Sequence, residues 1–90
     1  MENMDKLTGI MLDEMMKGAA DYATRKGIKM TNEQITNTTN QMRKIAIDAM
    51  KTALADAKEA FDAHMDQIAI QTAMATMRLA GINAAKAVVG

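Results

Sequence analysis

Asp56-Ala57-Lys58-Glu59-Ala60-Phe61-Asp62-Ala63-His64-Met65-Asp66-Gln67-Ile68-Ala69-Ile70 is the stretch on which the fold of this chain turns. An α-helix rotates by about 100° per residue. Upstream, Met42, Ala46, Ala49, Met50, Ala53, Leu54, Ala57, Ala60, Phe61, His64 and Ile68 share one broad apolar face. Downstream, the apolar stripe is Ile70, Met74, Met77, Gly81, Ala84 and Val88. It is rotated from the first by roughly 150° and continues the line of Glu59, Asp62 and Asp66 instead. One straight helix cannot bury both stripes against one neighbour. Either the chain turns within residues 64–67, with Asp66 as the N-cap of a new helix, or one helix of about 85 Å runs from Asn32 to Val88 and demands an oligomer. The turn is the more economical choice for a single chain, although neither glycine nor proline marks it. Gly81-Ile82-Asn83 is an alternative stop within the last helix, which otherwise runs on to residue 88.

Working towards the N-terminus, the segment 31–41 opens with the clearest local signal. Thr31 and Gln34 have the spacing of a reciprocal capping box, and Met30 and Ile35 hold the two hydrophobic-staple positions. Thr36, Asn37, Thr38, Thr39 and Asn40 compete locally for backbone hydrogen bonds, so this stretch is expected to fray unless Ile35 and Met42 pack it down. Before it, Gly27 follows Arg25 and Lys26, cations that suit a helix C-terminus, and supplies the usual αL stop. The first helix carries the stripe Met4, Leu7, Met11, Met15, Gly18 and Tyr22. Gly18 costs about 1 kcal/mol there against alanine, a loss that close approach of another backbone would offset. Ile10, Leu12 and Met16 fall outside that stripe and point to burial on more than one side.

The predicted fold is therefore all-α and a single domain over residues 1–90, with helices at 4–26, 31–64 and 67–88. It is a helical hairpin or three-helix bundle with a long central helix. That helix would be about 50 Å long against about 33 Å for its neighbours. Its overhanging alanine face is expected to be covered by a second copy, giving a homo-oligomer. Gly18, Ala49, Ala53, Gly81 and Ala84 would form the close contacts of that interface.

Composition agrees. The chain has no proline, 2% aromatics and 11 methionines among 90 residues, which favours helix over strand. The flexible thioether of methionine fills irregular cores and equally suits surfaces that repack on different partners. Formal net charge is zero and aromatic stacking platforms are lacking, so no nucleic-acid partner is expected. No apolar run reaches the ~20 residues of a membrane span, and the first 17 residues lack a signal-peptide layout. The absence of cysteine fits a cytoplasmic protein.

Catalytic constellations are missing from the sequence. There is no serine, no cysteine and one histidine, His64, whose flanking Asp62 and Asp66 do not share its helical face. No metal site or cofactor is expected, and His64 reads as a packed or partner-facing side chain. Two surfaces remain. Asp56, Glu59, Asp62 and Asp66 form an acidic stripe suited to docking on a protein partner. Tyr22, Arg25, Lys26, Lys29 and Thr31 surround a helix N-terminus, where backbone N–H groups and cations suit a nucleotide or other anion held between subunits. The leading expectation is a non-enzymatic interaction protein of the inhibitor or adaptor type, as phage and mobile elements encode. Its alternative is an oligomeric small-ligand binder.

Overall fold

The computed structural model describes the backbone of residues 2–90 and the side chains of residues 5–90. Met4, the first member of the expected N-terminal stripe, lies outside the described side chains. Three helices account for nearly all of the chain: α1 (Glu2–Arg25), α2 (Asn32–Asp62) and α3 (Asp66–Val89). No strand occurs among the described residues.

Both helix ends are closed by the same device. At the end of α1, Gly27 has φ 67°. Its N–H donates to the Thr24 carbonyl at 3.1 Å, and the Ile28 N–H donates to the Ala23 carbonyl at 2.9 Å. At the end of α2, His64 adopts φ 59°. Its N–H donates to the Phe61 carbonyl at 3.0 Å, and the Met65 N–H donates to the Ala60 carbonyl at 2.9 Å. This pair of bonds is the Schellman arrangement, which satisfies the last carbonyls of a helix and turns the chain. The break expected within 64–67 is present, made by a histidine in the place glycine usually takes. Histidine tolerates this region better than most side chains, though not as well as glycine.

The start of α2 follows the sequence closely. Gln34 N–H donates to Thr31 Oγ1 at 3.1 Å, and Thr31 N–H donates to Gln34 Oε1 at 2.9 Å. The threonine- and asparagine-rich turn after it is helical. Met42 packs against the core, as expected, but Ile35 remains 51% exposed. Thr38, 3% exposed, anchors the stretch in place of Ile35.

Two expectations about α3 are corrected and one is met. Its N-cap is Met65, which makes no side-chain cap bond, and Asp66 is the first helical residue. The helix runs through the alternative stop at Gly81-Ile82-Asn83 to Val89, in keeping with the expected span of 67–88. It is also α3, not the longer α2, on which both other helices pack, while α1 and α2 barely touch one another. The reason lies in its charges. Asp66, Arg78 and Lys86 are the only ones in 24 residues. Such a helix loses most by exposure and takes the middle. The result is a flattened body of 43 × 24 × 17 Å.

The core is built from small and flexible side chains. Met11, Met15, Ala53, Ala57, Ala69, Ala73 and Met77 form one buried cluster. The closest approach is between α1 and α3. A Cβ at Gly18 would collide with the Arg78 carbonyl oxygen, and one at Gly81 with the Met15 carbonyl oxygen. The two glycines let the backbones meet, and the packing gained offsets their poor helix propensity.

Candidate functional site

Because α1 and α2 both lean on α3 and not on each other, an apolar groove opens between them. Leu12, Met15 and Met16 of α1 face Thr39, Met42, Arg43 and Ala46 of α2 across a cleft of about 250 Å³. A second cleft of about 240 Å³ continues it through Met16, Ala19 and Ala20 to Met30, Ile35 and Thr38. Met16, Thr39 and Met42 are common to both, so the two form one channel. Four of its wall residues, Met15, Met16, Met30 and Met42, are methionines. Met16 is 54% exposed and Met15 only 2%, so the floor is fixed and the rim is free to move. Thr38 turns its hydroxyl onto the Met30 sulfur at 3.9 Å, which keeps a buried polar group from spoiling the apolar wall. Arg43 supplies the one charge at the lining.

The sequence carried a trace of this groove. Leu12 and Met16 fall off the narrow stripe of α1 because they face α2's side and not α3. Pairing them with Thr39 and Met42 requires the crossing geometry of two helices, which periodicity does not contain.

The acidic stripe does not converge. Asp56 accepts a hydrogen bond from Thr76 Oγ1 of α3 at 3.0 Å and so serves the α2–α3 contact. Asp62 pairs with Lys58 at 2.6 Å. That hydrogen bond, and next the charge of Asp62, raise the Lys58 ammonium above its ordinary pKa of 10.5. Glu59 is exposed on α2, and Asp66 lies beyond the turn on α3. No group of three or more carboxylate or histidine side chains stands close enough to hold a metal among the described residues. His64 is not packed on an apolar face. It is exposed in the turn that its own backbone makes.

The anion-site residues are also spent elsewhere. The Thr31 hydroxyl and backbone N–H are both engaged with Gln34. The Tyr22 hydroxyl is buried, with no hydrogen-bond partner among the described residues. The Lys26 ammonium sits 5.9 Å from the Tyr22 ring centre, where a stacked base would have to lie. Arg25 and Lys29 remain exposed.

The small residues assigned to an oligomer interface are occupied by the chain's own helices. Gly18, Ala53, Gly81 and Ala84 are buried within the single chain, and Ala49 is half-buried against the same core. Any contact between copies must use other surfaces.

The α1–α3 contact is fastened by a buried acid. Glu14, 7% exposed, accepts from Arg78 Nε at 3.1 Å, and Arg78 Nη1 also reaches Asp21 at 3.5 Å. Lys17 stands 3.7 Å from Glu14 on the other side. A buried carboxylate needs such partners, because charge removed from water is costly unless paired.

No helix is long and apolar enough to cross a membrane among the described residues. Comparison with protein-family models, with curated proteins and with solved structures returns no match.

Proposed function

We propose that this chain is a non-enzymatic interaction protein, of the inhibitor or adaptor type, that docks on another protein and assembles with copies of itself. The observation that carries the docking role is the groove between α1 and α2. Its wall is almost wholly apolar, it is open to solvent, and it is lined by methionines at Met15, Met16, Met30 and Met42. Methionine walls adapt to the side chains they receive, which suits a groove taking the apolar stripe of a partner helix. The channel runs beside α1 from Leu12 to Ala20, about 12 Å of helix, room for two turns of a guest. Arg43 at the rim would favour a carboxylate on the guest's flank.

Self-assembly is supported by area. A folded monomer of 9.8 kDa ordinarily exposes about 5,200 Å². This chain exposes 6148 Å². The surplus of roughly 1,000 Å² is comparable to what one partner buries in a standard interface, about 800 Å².

The test uses methyl-labelled methionine. Amphipathic helical peptides bearing an acidic flank should move the methyl signals of Met16, Met30 and Met42 and leave that of the buried Met77 in place. Met16→Glu should abolish the shifts without unfolding the chain, because the side chain is already half exposed. Uniform small shifts at all methionines, or none at millimolar peptide, would overturn the docking role.

A further inference from the structure

Met16 and Met65 are the exposed methionines among the described residues, at 54% and 46%. A peroxide oxidises a thioether by direct encounter, so susceptibility follows exposure. Met11, Met15 and Met77, at 2% or less, are shielded. Met30 is half-buried, and its sulfur already accepts the Thr38 hydroxyl. Met42 is half-buried in the α2 wall of the groove. Of the four methionines in the groove, Met16 is therefore the one open to attack. It is also common to both clefts, so a change there alters the whole channel.

Across the groove stands Arg43. Met16 follows Met15 and Arg43 follows Met42, so each is turned about 100° from a deeper neighbour. Both are exposed, one on the α1 rim and one on the α2 rim, and both line the same cleft. Arg43 has no acidic partner among the described residues. Its helical neighbours three and four residues away are Thr39, Asn40, Ala46 and Ile47, none of them a carboxylate. The guanidinium has five N–H donors and faces an apolar wall that offers them no acceptor.

The geometry points to Met16 as a peroxide-sensitive switch of the groove, its sulfoxide received by Arg43 from the opposite rim. The step balances. The thioether sulfur attacks one oxygen of a hydroperoxide with its lone pair, and the S–O bond forms as the O–O bond breaks. Sulfur gives up two electrons, the peroxide takes them, and its leaving oxygen carries off the proton as water or an alcohol. The new oxygen is a strong acceptor on a flexible side chain, and a bond to it from a guanidinium is charge-assisted. Two things then change. A polar group stands in the apolar wall, and the cation that would meet a guest's carboxylate is occupied. Methionine sulfoxide reductases reverse the change. Closure to a guest rests on the proposed docking role, whereas the bond between the rims needs no guest.

The experiment uses the full chain with Met65→Leu, which removes the exposed methionine outside the groove. After treatment with hydrogen peroxide, peptide mass spectrometry should find Met16 oxidised faster than Met30 and Met42, with Met77 last. The oxidised chain should melt about 3 °C above the reduced one, the scale of one exposed charge-assisted bond. Adding Arg43→Leu, an exposed site that leaves the fold intact, should abolish that gain. Affinity for helical peptides with an acidic flank should fall about tenfold on oxidation and return with the reductases. Oxidation of Met16 no faster than Met42 overturns the site. The same melting change with and without Arg43 overturns the bond between the rims. Unchanged peptide affinity after oxidation overturns the switch. A reduced chain that binds no peptide overturns the docking role alone, and the melts still decide the bond.

Discussion

Gly81→Ala and Gly9→Ala are the same chemical change, and they are expected to move stability in opposite directions. Each exchanges a glycine inside a helix for alanine, which by propensity alone is worth about 1 kcal/mol of stabilisation. At Gly9 a new Cβ meets nothing within 4 Å. The propensity gain should appear in full, raising Tm by about 4–8 °C for a chain of this size. At Gly81 the new Cβ would collide with the Met15 carbonyl oxygen, and the Ala19 nitrogen is also within 3.1 Å. These are backbone atoms of a rigid helix, so no side chain can swing aside. The helices must separate, and overpacking of this kind costs about 3 kcal/mol. The net expectation is a loss of about 2 kcal/mol, lowering Tm by about 8–16 °C. A chain of this length has roughly 5–13 kcal/mol in all, so the variant should still fold. Thermal melts followed by helical circular dichroism measure both. Gly18→Ala addresses the same crossing against Arg78, so its loss should combine with that of Gly81→Ala less than additively. If Gly81→Ala raises Tm as Gly9→Ala does, the α1–α3 backbones are not in contact and the reasoning fails.

Arg78→Met removes the partner of a nearly buried carboxylate. With Arg78 42% exposed and Lys17 still near Glu14, the loss should be about 1 kcal/mol in urea unfolding, and pairing it with Glu14→Gln should recover part of that. Tyr22→Phe deletes a buried hydroxyl that has no partner, so Tm should rise by a few degrees, about 1 kcal/mol; a fall would show that the hydroxyl is bonded. His64→Gly relieves an αL histidine and should add up to about 1 kcal/mol. The Lys58 ammonium, held above 10.5 by Asp62, should return to its ordinary titration in Asp62→Asn, as read by side-chain NMR. The sign is that of a raised pKa: the contribution of the pair is present below 10.5 and lost as pH climbs through the raised value.

What the sequence made legible was local. The capping box at Thr31 and Gln34 and the stop at Gly27 each depend on residues within six positions, and both stand where their spacing put them. The break at His64 was legible only as a contradiction between two stripes, because the residue that makes it is not a usual turn former. What periodicity could not supply was which helix sits between the others. Length suggested α2, and the alanine face of α2 suggested a partner copy. The charge-poor composition of α3 was the better guide, since a helix with three charges in 24 residues has the strongest reason to be surrounded. The same limit applies to the candidate site. Gly18 and Gly81 were recognisable as close-contact residues, but a close contact with another copy and one with the chain's own third helix have the same sequence pattern.

Methionine posed two alternatives, a core filled with flexible side chains or an adaptable surface, and they divide by residue. Met11, Met15 and Met77 are all 2% exposed or less and close the core between the helices. Met16, Met30 and Met42 lie on the other side of the same α1–α2 opening, where the helices part. The two groups have one cause. A body in which α3 holds α1 and α2 apart leaves a gap that is sealed on the α3 side and open on the other. Branched side chains would fill the sealed part only in a few fixed rotamers, and on the open side they would present one fixed shape. An unbranched thioether with three rotatable bonds suits both. Replacing Met77 by leucine should therefore cost less than about 1.5 kcal/mol, whereas Met16→Leu and Met42→Leu together should leave stability unchanged and narrow the range of helical peptides that the groove accepts.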